Sequence, residues 1–289
     1  MSFDLETLDA HLAQSEARVG DIRDGCAKRI DWAQGRAKTP ISVVFVHGFS
    51  ASCGELWPLP DLVAKELGAN LFMTRLTGHG QDGAAMGRAS LPDWDADVAE
   101  AIKIGQAFGD DVIVMGCSTG CTLLTTALAE KVDGTSAIKG VVHVSPNYGL
   151  ARMWAQALLQ LPKVQSWGRY IAGSEQTFDK ISDDHAKYWT LKYDTQAVFT
   201  MADAVRTAMA SPIEGITTPA YFAVCETDEV VSPAKTRAVM ERWGGAVFED
   251  ILVQGPTDDR MGHVMAGDVF SPAQTAPLAA RIIDWIKRL

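Results

Sequence analysis

The chain has 289 residues, 47% hydrophobic and 21% charged, which suffices for one large α/β domain or a domain carrying an insertion. Its net charge of −10 argues against nucleic acid or an anionic membrane surface as a partner. The five cysteines show no disulfide-framework spacing, there is no Cys-x-x-Cys or His-x-x-x-His pair for a metal, and no apolar run approaches the ~20 residues that span a bilayer.

The first residues, Met-Ser-Phe-Asp-Leu-Glu, lack the basic and apolar regions of a secretory signal, so a reducing cytoplasm is the expected location. Residues 4–20 space Leu5, Leu8, Leu12 and Val19 as an amphipathic helix. Ile30 and Trp32 alternate with polar residues as a half-exposed edge strand does, and the chain turns between Gly35 and Pro40.

Ile41 to Val46 is a buried strand that runs into His47-Gly48-Phe49-Ser50. A glycine-containing loop there lies on the face where open α/β sheets bind ligands, with backbone N–H groups free to point into the crevice. His47 is expected to support this loop by hydrogen bonding rather than to act as a base. Leu62 to Leu67 reads as a helix stopped by Gly68, and Ala69 to Leu76 as the next strand, closed by Gly78-His79-Gly80 in a tight turn. Ser90, Pro92 and Asp93 then start a helix whose apolar stripe is Trp94, Val98, Ala101 and Ile102.

Val112 to Met115 is a strand, and Leu123, Leu124, Ala127 and Leu128 repeat on one helix face. Between them stands Gly116-Cys117-Ser118-Thr119-Gly120. A strand that turns abruptly into a helix puts one residue at a strained apex, and glycines on either side remove side chains that would clash. Ser118 at that apex is a nucleophile candidate, and Cys117 is expected to be a packed, inert thiol. In a serine hydrolase the N–H groups of Phe49 and Thr119 would form the oxyanion hole.

Ile138 to Val144 is a further buried strand, with His143 expected as a satisfied core residue. From Asn147 to Ser211 the strand–helix alternation stops among helix-like stretches rich in Trp and Tyr. The expected division is therefore a core of residues 1–146 and 212–289 with an inserted helical lid at 147–211. Alternation resumes with the strand Ala220 to Cys225, a helix capped by Ser232 and Pro233 and closing at Gly244, and a last strand from Val247 to Val253. A polar loop holding Gly262-His263-Val264 follows, and Ser271-Pro272 opens the C-terminal helix. Asp258 and Asp259 in that loop are expected to be solvated.

A serine hydroxyl needs an adjacent base, and the base needs a carboxylate to fix its tautomer. Ser118, an acid after a later strand, and His263 after the last strand occur in the order of the α/β-hydrolases. The chain resembles α/β-hydrolases of the carboxylesterase and monoacylglycerol-lipase type over residues 41–288. The resemblance rests on five motifs in order: His47-Gly48-Phe49, Leu76 to Gly80, Gly116 to Gly120, Thr227-Asp228-Glu229-Val230-Val231, and Gly262-His263-Val264.

It implies a doubly wound, mostly parallel sheet and a catalytic triad of Ser118, Asp228 and His263, with Glu226 as the substitute acid because Cys225 stands where the family usually has glycine. It further implies a serine esterase without cofactor or metal, acting on a small-molecule ester, and the aromatic residues of the 147–211 insertion point to an apolar acyl or aryl group. Thioester, amide or carbon–carbon bond cleavage by the same triad, and a non-catalytic ligand-binding protein on this fold, are the alternatives. No Gly-x-x-x-x-Gly-Lys phosphate loop competes with this reading.

Overall fold

In a computed structural model, which describes residues 3–152, 154, 159, 161 and 164–289, the chain folds around one seven-stranded sheet. In chain order the strands are β1 (Arg29–Asp31), β2 (Thr39–Val46), β3 (Asn70–Met73), β4 (Gly109–Cys117), β5 (Ile138–Val144), β8 (Ala220–Cys225) and β9 (Val247–Leu252). Their spatial order is β1-β3-β2-β4-β5-β8-β9, and only β1 runs antiparallel to its neighbour. The sheet is therefore mostly parallel, and both faces must be covered by helices.

Alternation along the strands divides the core in two. Val44, Val46, Val112, Val114, Val141 and Phe222 face one helical layer, and Val43, Phe45, Ile113, Met115, Val142 and Tyr221 face the other. The first layer contains α1 (Leu5–Val19), α4 (Leu91–Phe108), α5 (Thr119–Ala129) and α9 (Pro233–Arg242); the second contains α2 (Leu59–Leu67) and α10 (Pro272–Ile286). Local chemistry sets the ends of these helices. Gly68 takes the left-handed conformation behind α2, with φ of 61°. At α4 the Asp93 carboxylate accepts from the Ser90 N–H at 2.9 Å, completing a capping box.

Three details depart from the sequence reading. A short helix α3 (Gly83–Arg88), capped by Asp82, fills the stretch before α4. In α1, Val19 is exposed, while Glu16 on the same helix is buried because Arg75 grips its carboxylate at 2.8 Å. Residues 74–76 leave the sheet, so β3 is shorter than its apolar run.

The segment 147–211 includes 153, 155–158, 160, 162 and 163, which lie outside the described residues. Its described part holds α6 (Val164–Ala172), α7 (Asp183–Tyr188) and α8 (Gln196–Ala210), together with an unanticipated antiparallel pair, β6 (Glu175–Thr177) and β7 (Lys192–Asp194). Met201 and Ala204 of α8 belong to the same core layer as α5. No helix among the described residues is long and apolar enough to cross a membrane.

Candidate active site

Because β2, β4, β8 and β9 are parallel, the residues that follow them emerge at one rim of the sheet. β4 ends in the turn onto α5, and Ser118 at its apex has φ of 48° and ψ of −114°, in the strained left-handed half of conformational space. The flanking glycines permit the turn. A Cβ on Gly120 would lie 2.1 Å from the Val46 carbonyl oxygen, and one on Gly116 would lie 2.8 Å from the Cys121 nitrogen. The backbone is pinned by Ser118 N–H donating to the Val144 carbonyl (3.0 Å) and Asn147 N–H donating to the Ser118 carbonyl (3.1 Å).

His263 arrives from the loop after β9. Its Nε2 stands 3.1 Å from Ser118 Oγ, and its Nδ1 stands 2.8 Å from Asp228 Oδ2. A carboxylate accepts only, so Nδ1 carries the proton and Nε2 is left to accept from the hydroxyl. The other Asp228 oxygen accepts from the N–H groups of Val230 (2.8 Å) and Val231 (2.9 Å), which fixes the carboxylate in the β8 turn. Burial alone would lower the His263 pKa. The charge and hydrogen bond of Asp228, with Glu55 and Asp259 adding to them, outweigh burial and hold it above its ordinary value. Such a relay can take a proton from a hydroxyl and stabilise the imidazolium that results.

On the facing loop, Gly48 stands against the serine: a Cβ there would lie 3.0 Å from Ser118 Cβ. Phe49 follows it, and Thr119 opens α5. Neither the Phe49 nor the Thr119 N–H has a hydrogen-bond partner among the described residues. His47 supports the loop as expected: its Nε2 accepts from Leu76 N–H at 3.0 Å, so its protonated Nδ1 donates to the Gly48 carbonyl at 2.8 Å. Full burial brings its pKa down to about 4, leaving a neutral ring.

Sequence and fold carry the same identification, since residues 43–278 match the α/β-hydrolase family. The chain belongs to the α/β-hydrolase family. A thermostable monoacylglycerol lipase from Bacillus sp. strain H-257 is 25% identical over 206 residues, which is 70% of this chain and 76% of that enzyme. A solved structure from work on LipS and LipT, two metagenome-derived lipolytic enzymes, matches with a TM-score of 0.74 at 18% identity, over 93% of this chain and 100% of that one. The monoacylglycerol lipase of Paleococcus ferrophilus matches with a TM-score of 0.61 at 17% identity, over 90% and 97% of the two chains. At such identities the structural likeness establishes the fold.

Around the three side chains, this hydrolase corrects several sequence expectations. Asp258 and Asp259 are buried, not solvated. The Asp259 carboxylate accepts from the N–H groups of Met261 (3.1 Å), His263 (3.0 Å) and Val264 (2.8 Å), so it shapes the loop that carries the histidine. His143 is buried and stacks on Phe222 with 4.7 Å between ring centroids, but neither ring nitrogen has a hydrogen-bond partner among the described residues. Glu226 is exposed and ion-paired with Arg237, while Asp228 reaches the histidine. Cys117 is fully buried, and burial pushes its thiol pKa well up, as an inert thiol requires.

Glu55 was missed altogether. It is buried, and one carboxylate oxygen accepts from Gly48 N–H at 2.5 Å. The available signal was an acid sitting among Leu56, Leu59 and two prolines, although a loop glutamate ordinarily reads as solvent-facing.

A cavity of about 640 Å³ opens beside His263, within the range of small-molecule sites. Its apolar wall includes Phe178, Ile181, Trp189 and Leu191 from the 147–211 segment, facing Met261 and Phe270. Among the described residues, no group of three or more His, Cys, Asp or Glu side chains is arranged to hold a metal ion.

Proposed function

We propose that this α/β-hydrolase is a serine esterase of the carboxylesterase or monoacylglycerol-lipase kind, acting through an acyl-enzyme on Ser118. The observation that carries this reading is the unbroken relay from Ser118 Oγ to His263 (3.1 Å) and on to Asp228 (2.8 Å), with His263 lining an apolar cavity. The 25% identity to a monoacylglycerol lipase points the same way.

In this mechanism Ser118 Oγ attacks the ester carbonyl while His263 Nε2 takes its proton. The carbonyl oxygen becomes an oxyanion held by the N–H groups of Phe49 and Thr119, each worth ~10²–10³ in rate by analogy with deletion of a single donor. Thr119 also stands at the N-terminus of α5, where the helix dipole favours negative charge. Collapse expels the alcohol, which leaves with the proton from His263. Water then attacks the acyl-enzyme with His263 again as base, releasing the carboxylic acid and restoring Ser118.

Residues 147–211 act as a cap over this core, a role supported by the four side chains they contribute to the cavity wall. That wall suits a small ester with an apolar acyl or aryl group, taken up without cofactor or metal. Hydrolysis of p-nitrophenyl esters tests the proposal, with Ser118→Ala and His263→Ala expected to abolish turnover and labelling of Ser118 by a fluorophosphonate. Wild-type rates in either variant would overturn it.

A further inference from the structure

Gly48 is held at both ends by buried side chains that do not line the cavity. His47 donates to its carbonyl (2.8 Å), and Glu55 accepts from its N–H (2.5 Å). The two peptides flanking this glycine are thereby fixed, so the direction of the next N–H, that of Phe49, is fixed too. Glycine is needed for this approach, since a Cβ would lie 2.7 Å from the Glu55 carboxylate.

Glu55 also sits against the histidine loop. Gly267 packs on its backbone, with a Cβ there reaching to 2.8 Å from the Glu55 carbonyl, and Asp268 N–H donates to Trp57 at 2.8 Å. The buried carboxylate thus holds the oxyanion loop and lies beside Ser118, with Gly48 between them, while the backbone of the same residue packs on the loop that carries the base. Nothing in the relay of Ser118, His263 and Asp228 requires it, and a charged group in so dry a place is costly unless it has a task.

We propose that Glu55 is a positioning residue for ester hydrolysis: its carboxylate aims the Phe49 N–H at the oxyanion through Gly48 and sets a second negative charge, beyond that of Asp228, near the imidazolium of His263. The inference rests on the esterase reading above. His263 is faced by Asp228, Asp259 and Glu55, and Glu55 in turn by His263 and by the Cys117 thiol, which donates to it. Burial pushes the Glu55 carboxyl up to about 7, so its charge state changes over the working range of a histidine base.

The two tasks separate by substitution. Glu55→Ala removes both acceptor and charge, and a donor displaced by about 1 Å costs ~10²-fold in kcat with KM little changed. Glu55→Gln keeps an oxygen to accept from Gly48 N–H but carries no charge. It should restore kcat at alkaline pH while moving the acidic limb of the kcat/KM profile to lower pH, because His263 loses one stabilising neighbour.

The measurement is the pH profile of p-nitrophenyl ester hydrolysis for wild type and both variants, with Ser118→Ala alongside. A Glu55→Gln limb superimposable on wild type overturns the inference, whether or not Glu55→Ala folds. A still-active Ser118→Ala overturns the esterase reading instead, so the two failures are distinguishable.

Discussion

The elbow at Ser118 and the loop that carries His263 meet at 3.1 Å, yet they are held in place by different forces. The elbow is steric: β4, α5 and β2 crowd together until only glycine fits at 116 and 120, and among the described residues no ionised side chain hydrogen-bonds to its backbone. The histidine loop is electrostatic, its backbone gathered on the Asp259 carboxylate and its ring on Asp228. A steric device fails when an atom is added where none fits, whereas a carboxylate-held one fails when the acceptor or its charge is removed. This contrast says how each half should break.

The largest effect is expected on the electrostatic side. Asp228→Asn should lower kcat by ~10⁴ on the esterase reading, because the amide favours the wrong imidazole tautomer, with the fold intact by circular dichroism. On the steric side, Gly120→Ala would bring a methyl to 2.1 Å from the Val46 carbonyl oxygen. It should cost about 3 kcal/mol or more in urea denaturation at any pH, and a milder loss would show that the elbow can yield. Asp259→Ala leaves the N–H groups of Met261, His263 and Val264 without their acceptor. A loss of about 1–3 kcal/mol is expected in urea denaturation, with a fall in kcat as the loop that carries His263 loosens.

Smaller effects follow from titration. His263 is held above its ordinary 6.5 in the folded state, so on the esterase reading kcat/KM should fall as pH is lowered through that raised value and the base becomes protonated. The sign for stability is the reverse. The imidazolium contribution is fully present below about 6.5 and is lost as pH rises through the folded value, so thermal denaturation of wild type should show this decline and His263→Ala should lack it. Smallest of all is Glu226→Gln, which breaks an exposed pair with Arg237. It should change stability by at most about 1 kcal/mol and leave kcat unaltered, and a large kcat loss would give that residue a role the geometry denies it.

The same contrast governs what could be read from the sequence. The parallel strands and their helices were legible because continuous apolar runs and 3.6-residue periodicity record burial directly, as at Val112 to Met115 and in α10. Ser118 was legible because a strained apex demands glycines at fixed offsets. Partners that act through charge left weaker traces. Asp259 and Glu55 look like solvent-facing loop acids until the fold buries them, and their acceptors are backbone N–H groups with no signature of their own. The antiparallel pair β6–β7 escaped because its two strands hold one apolar residue between them, Tyr193, which leaves no alternation to register.

The cavity beside His263 takes its reacting edge from loops of the sheet and much of its apolar wall from Phe178, Ile181, Trp189 and Leu191, which lie in a different part of the chain. Appetite and chemistry are thus written on separate stretches of polypeptide. On the esterase reading, descendants of this protein can trade one of those four side chains for another and change which acyl group fits, while Ser118, His263 and Asp228 stay as they are.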